Sequence, residues 1–103
     1  MQTPSCLLTL VFPRSLEDQI IDFMLERESQ TSGFICGEVS GHGANAIYAT
    51  SGERVRGMTK QMRLTTIISE EGSMVLIADL KKVLGQANIV YWISPLMTYG
   101  SFV

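Results

Sequence analysis

Apolar positions along the chain follow two periods, and their alternation sets out six elements. Ser5 to Phe12 is a short β-branched and aromatic run closed by Pro13, which predicts a strand. From Ser15 the period lengthens, with Leu16, Ile20, Phe23 and Met24 at helical spacing and Asp22, Glu26 and Arg27 on the other side. Ser15 followed by Asp18 has the form of a capping box, so this spacing predicts a helix from Leu16 to Glu28. Thr31-Ser32-Gly33 breaks the chain, and Phe34 to Val39 predicts a second strand. Lys60 to Ile68 alternates Met62, Leu64, Thr66 and Ile68 against Arg63 and Thr65, which predicts a third strand, the least buried of the set. Ser69-Glu70-Glu71 then caps a second helix carrying Val75, Leu76, Leu80, Val83 and Leu84, with Lys81 and Lys82 in its last turn and Gly85 closing it. Asn88 to Ile93 predicts a fourth strand, stopped by Ser94-Pro95.

The order β-α-β-β-α-β is the split βαβ, or ferredoxin-like, α+β arrangement. It predicts one domain over residues 1–103, with two helices on one face of a four-stranded antiparallel sheet ordered 4-1-3-2. In that order Cys6 and Cys36 lie on strands one and two with strand three between them. Two spacings of ~4.8 Å exceed the ~7 Å reach of a disulfide, so both should be free thiols packed as small hydrophobes.

An exposed sheet face should be polar at every second position. The first strand offers Cys6, Leu8, Leu10 and Phe12 on one parity and Leu7, Thr9 and Val11 on the other, and the fourth offers Ile89, Tyr91 and Ile93 against Val90 and Trp92. Both faces are apolar, and the chain holds no spare helix to cover the second. A neighbouring copy of the same sheet is the economical cover.

Composition agrees with that reading. The chain of 103 residues is 46% hydrophobic and only 17% charged, too apolar for a disordered segment. A net charge of −2 gives no electrostatic case for nucleic acid. No stretch approaches the ~20 apolar residues that span a bilayer, so direct membrane insertion is not expected. Two cysteines are too few for a disulfide scaffold, and Met1-Gln2-Thr3-Pro4 lacks a basic leader, so the expected compartment is cytoplasmic.

Between strands two and three runs a glycine-rich stretch, about residues 41–57, long enough to argue for function or mobility. Charge is uneven around it. Residues 53–63 carry Arg54, Arg56, Lys60 and Arg63 against Glu53, whereas the acidic residues of 1–30 read as the solvated face of a helix. His42, the single histidine, stands between two glycines. It reads first as a turn or cleft residue; as a metal ligand it would need help from other copies, from Glu38, or from the thioethers of Met58 or Met62, soft donors that suit Cu(I).

Ser40-Gly41-His42-Gly43 opening the loop, Val55-Arg56-Gly57 closing it, and Tyr91-Trp92-Ile93-Ser94-Pro95-Leu96 at the last strand together resemble the PII-like (GlnB-like) signalling proteins. The resemblance spans nearly the whole chain, and more narrowly it is to a small uncharacterised branch often encoded near heavy-metal efflux pumps. It implies a non-enzymatic regulator and a homotrimer with the three sheets facing inward. It also implies small ligands in clefts between subunits, and a mobile loop, the T-loop, through which residues 41–57 touch a partner protein such as a membrane transporter. The ligand-binding residues it implies here are Ser40, Gly41, His42, Gly43, Arg54, Arg56, Gly57 and Lys60. PII proteins hold ATP or ADP with a glycine- and lysine-containing loop between the second helix and the last strand. Here that connection is Gly85-Gln86-Ala87-Asn88, with no basic residue, so a phosphate grip would fall to Arg54, Arg56 and Lys60. No cofactor is therefore assigned from the residues.

Two other classes are open. A metal-responsive module of heavy-metal tolerance, near the CutA-like proteins that share fold and trimer, would use His42 for a transition metal. An enzyme would most nearly be an acylphosphatase, with Arg14 of Phe12-Pro13-Arg14-Ser15 as the anion-binding arginine. Pro13 takes the place of a free backbone amide there, and no nucleophile–base pair or carboxylate dyad is seen elsewhere.

Overall fold

The computed structural model describes residues 5–42 and 58–103. Strand β1 (Cys6–Pro13) leads through a short 3-10 turn (Arg14–Leu16) into helix α1 (Glu17–Leu25). A second 3-10 turn (Glu28–Gln30) precedes β2 (Phe34–His42), and β3 (Met58–Ile68), α2 (Glu70–Leu84) and β4 (Val90–Pro95) complete the fold. The sheet is wholly antiparallel in the order β2-β3-β1-β4, the 4-1-3-2 arrangement read from the opposite edge.

Cross-strand register sorts every strand residue onto one of two faces. Leu8 faces Thr66 and Ile93, and Leu10 faces Leu64 and Tyr91, so the even positions of β1 and β3 share one side. That side is the core. Leu8, Leu10, Phe12 and Leu64 are buried against Ile20, Phe23 and Met24 of α1 and Leu76, Ile77 and Leu80 of α2. Both helices therefore cover the same face.

β3 corrects the expectation that it would be the least buried strand. It lies inside the sheet, and Met62, Leu64, Thr66 and Ile68 are all buried. Its polar Thr66 is satisfied at that depth by donating to the Gly33 carbonyl at 2.6 Å. The edge strands β2 and β4 are the exposed ones.

Ser15 does not cap α1. Pro13 fixes an extended entry (φ −63°, ψ 146°), the next three residues coil into the 3-10 turn, and the cap position passes to Leu16, with no side-chain hydrogen bond. The helix also ends earlier than its apolar period suggests, because the Arg27 amide donates to Met24 O at 3.0 Å and tightens the last turn. Arg27 then braces the two helices: its guanidinium stacks 3.7 Å from the Phe23 ring centroid and its Nε lies 3.9 Å from Asp79 of α2. At α2 the predicted cap is present, with Ser69 Oγ accepting from the Gly72 amide at 2.9 Å. Gly85 ends α2 in right-handed geometry, and a Cβ there would stand 2.5 Å from the Lys81 carbonyl oxygen, so the close turn into β4 requires glycine. Gly33, at φ +98°, makes the sharp entry to β2.

Leu10 is fully buried at the centre of the sheet, beneath both helices. Leu10→Ala should lower the unfolding free energy by about 2–5 kcal/mol, read from the shift of the urea midpoint at unchanged m-value.

Candidate functional site

Three of the expected ligand-binding residues close β2, and one lies across from them. Ser40, Gly41 and His42 end the strand, and Lys60 near the start of β3 is the register partner of Ser40. His42 pairs with Met58. Ser40, His42 and Lys60 share the face that the helices cover further along, yet all three are exposed, so the β2–β3 ribbon stands clear of the helices here. Gly41 and His42 belong to the strand rather than to the loop expected to begin at residue 41, because the ladder with β3 continues to the His42–Met58 pair. Gly43, Arg54, Arg56 and Gly57 lie outside the described residues, as does most of the loop.

Two of the residues that could assist His42 as a metal ligand are otherwise engaged. Met62 is buried in the core beside Phe12, which removes it as a surface thioether. Glu38 accepts from Arg14 Nη1 at 3.1 Å, an exposed pair that ties the turn after β1 to the edge strand β2. The same contact takes up the arginine that an anion-binding turn after β1 would need. Among the described residues, no group of three or more histidine, cysteine, aspartate and glutamate side chains is placed to hold a metal ion.

A second recess lies where α2 ends and β4 begins, a hollow of about 100 Å³ formed mainly by Ile77, Leu80, Leu84, Ile89 and Tyr91. Its one cation is Lys81, whose Nζ sits 5.7 Å from the Tyr91 ring centroid. Hydrocarbon walls beside the Gly85-Gln86-Ala87-Asn88 turn do not fit a phosphate chain, which calls for a nest of amides or converging cations. The hollow has no signal in the sequence, because it arises from packing α2 on β4.

Among the described residues, none forms a layer over the other face of the sheet. Ile35 is 76% exposed, Val90 61% and Trp92 47%. Leu7, Val11, Val39 and Ile67, on the same face by register, are only half-buried. Exposed apolar patches of this kind are a feature that interaction surfaces have in common.

The βαββαβ fold, with two helices on one face of an antiparallel sheet ordered β2-β3-β1-β4, is similar to that of PII-like proteins. Three solved structures share the fold. A DUF3240 family protein from Shewanella baltica OS155 is 20% identical, with TM-score 0.77 over 99% of this chain and 100% of that one. A putative PII-like signalling protein from Thermus thermophilus is 19% identical, with TM-score 0.62 over 91% of this chain and 87% of that one. CPII, a nitrogen regulatory PII-like protein from Thiomonas intermedia K12, bound to ADP, AMP and bicarbonate, is 17% identical, with TM-score 0.64 over 91% of this chain and 93% of that one. No curated protein matches the chain in sequence. Residues 2–103 match the family described as "Protein of unknown function (DUF3240)", and the chain belongs to that family.

Cys6 and Cys36 are free thiols. Burial, and secondarily the negative charge of Glu17, push the Cys36 thiol above its usual range. Raised in the folded state, this group contributes stability that is complete below the unfolded thiol's pKa and is lost as pH climbs through the folded one. Alkylation of Cys36 should therefore be slower than that of a free cysteine at pH 8, with its rate–pH midpoint displaced upward; a midpoint at the free-thiol value would contradict the burial.

Proposed function

We propose that the chain is a non-enzymatic PII-like regulator, a homotrimer with its open sheet faces turned inward, that takes a small ligand between subunits and reports it through residues 41–57 to a partner protein. The observation that carries this reading is the apolar sheet face that no element among the described residues covers. The fold supports it, because the connection between β2 and β3 leaves the body on a ribbon that already stands clear of the helices. A ligand at the base of that ribbon would touch Ser40, Gly41, His42 and Lys60. It shifts the loop between conformations only to the extent that it binds one better than another. Gly43, Arg54, Arg56 and Gly57 are the loop residues assigned to that ligand.

ADP and AMP are bound by CPII. In this chain the hydrocarbon hollow after α2 argues against a phosphate-anchored nucleotide there, and Arg54, Arg56 and Lys60 are the cations left for one. A second reading, a metal-responsive module, is favoured by one detail: the ladder brings His42 opposite Met58, a nitrogen and a thioether residue at the mouth of the ribbon. The expected setting for either is the cytoplasm. No helix among the described residues is long and apolar enough to cross a membrane.

Light scattering on the purified chain at micromolar concentration should give three chain masses, and a monomer would remove the assembly. A thermal-shift screen of nucleotides and of Cu, Zn, Ni and Co ions then separates the two readings, since a ligand of the native state raises its melting temperature. ATP should bind more weakly than about 1 μM by calorimetry. If instead copper alone stabilises the chain and His42→Ala abolishes the shift, the metal reading replaces the first.

A further inference from the structure

One charged side chain stands on the open face of the sheet. Arg63 lies on the interior strand β3, with Val11 as its register partner on β1 and Gly37 on β2. Every other described position of that face is apolar or uncharged, including Gln61 and Thr65 beside it. Arg63 is exposed, and among the described residues its side chain takes part in no ion pair. The space next to it is open, for a Cβ built on Gly37 would meet no atom within 4 Å.

Such a residue is unremarked on a wet surface and costly on a covered one. If the open face is turned toward copies of itself, as proposed above, each copy brings a guanidinium into a seam lined by apolar side chains. A charge held away from water must be paired. Among the described residues that face supplies no carboxylate to do it, since Glu38 projects on the helix-covered side, where it already holds Arg14. Gly37, with no side chain of its own, leaves the space beside Arg63 open to a guest.

We propose that Arg63 from the three copies forms an oxyanion site on the three-fold axis, taking a tetrahedral anion of the phosphate or sulfate class. The inference rests on the inward-facing trimer and deepens it. A tetrahedral oxyanion viewed down one of its bonds presents three oxygens related by three-fold symmetry. Each accepts charge-assisted hydrogen bonds from one guanidinium fork, a fit that planar, always-charged arginine makes and a lysine point charge does not. The anion replaces repulsion among three like charges with attraction, so its occupancy is coupled to assembly.

The test measures inorganic phosphate against chloride at matched ionic strength, on the full chain and on the Arg63→Gln and Arg63→Lys variants, with light scattering alongside calorimetry. The wild-type trimer should bind one phosphate per three chains. Arg63→Gln should bind it at least about tenfold more weakly, the equivalent of one charge-assisted hydrogen bond, with Arg63→Lys between the two. A wild-type trimer with no phosphate-specific heat, or an Arg63→Gln trimer that binds phosphate unchanged, overturns the site while leaving the assembly intact. So does loss of the trimer in Arg63→Gln with no phosphate effect in wild type, which would mean that a carboxylate of a neighbouring copy pairs the arginine. A wild-type monomer overturns the assembly, and the site with it. Should Arg63→Gln not fold, Arg63→Lys carries the comparison.

Discussion

Everything in this molecule is arranged around β1, which is apolar on both of its sides. Its even positions, Leu8, Leu10 and Phe12, close the core under the two helices, and that half of the strand is satisfied within one chain. Its odd positions, Leu7, Thr9 and Val11, lie on the side that no described element covers. Thr9 is nonetheless buried there, between its register partners Thr65 and Trp92. The strand is thus apolar toward both faces, and Ile35, Val90 and Trp92 carry the same apolar character across the open one.

The parts near the ribbon obey a different constraint. Beyond the helices the β2–β3 ladder runs past the core, and Ser40, His42 and Lys60 there are polar and exposed. The Arg14–Glu38 pair marks the boundary between the two regimes, joining the turn after β1 to the last stretch of β2 with body beneath it. An exposed pair of this kind contributes under about 1 kcal/mol, so its role is to fix geometry rather than to hold the fold.

Sheet order and helix positions are legible in the sequence because they depend on period and on chain order, and both act locally. Ser69 reads as a cap because an extended residue precedes a clean helix. Ser15 misleads, because Pro13 imposes an entry angle that a 3-10 turn absorbs first. The burial of β3 is masked by Lys60, Arg63 and the threonines, although a strand between two others is covered whatever its outward residues are. Met62 shows the same limit at the candidate site. Its thioether looks available in sequence, and only the parity fixed by pairing with Phe12 puts it in the core. Glu38's partner is out of reach for a related reason: 24 residues separate it from Arg14, and no local pattern links them.

The sheet order also dictates when folding can finish. β1 is made first, yet its two hydrogen-bonded neighbours are β3 and β4, so Cys6 meets Ile68 and Pro95. During synthesis the greasiest strand emerges with neither neighbour and has none until residues 58–68 leave the ribosome; its other edge waits for 90–95. Pairing at such sequence separations is slow, and until β3 is made the apolar β1 has no strand hydrogen-bonded to it.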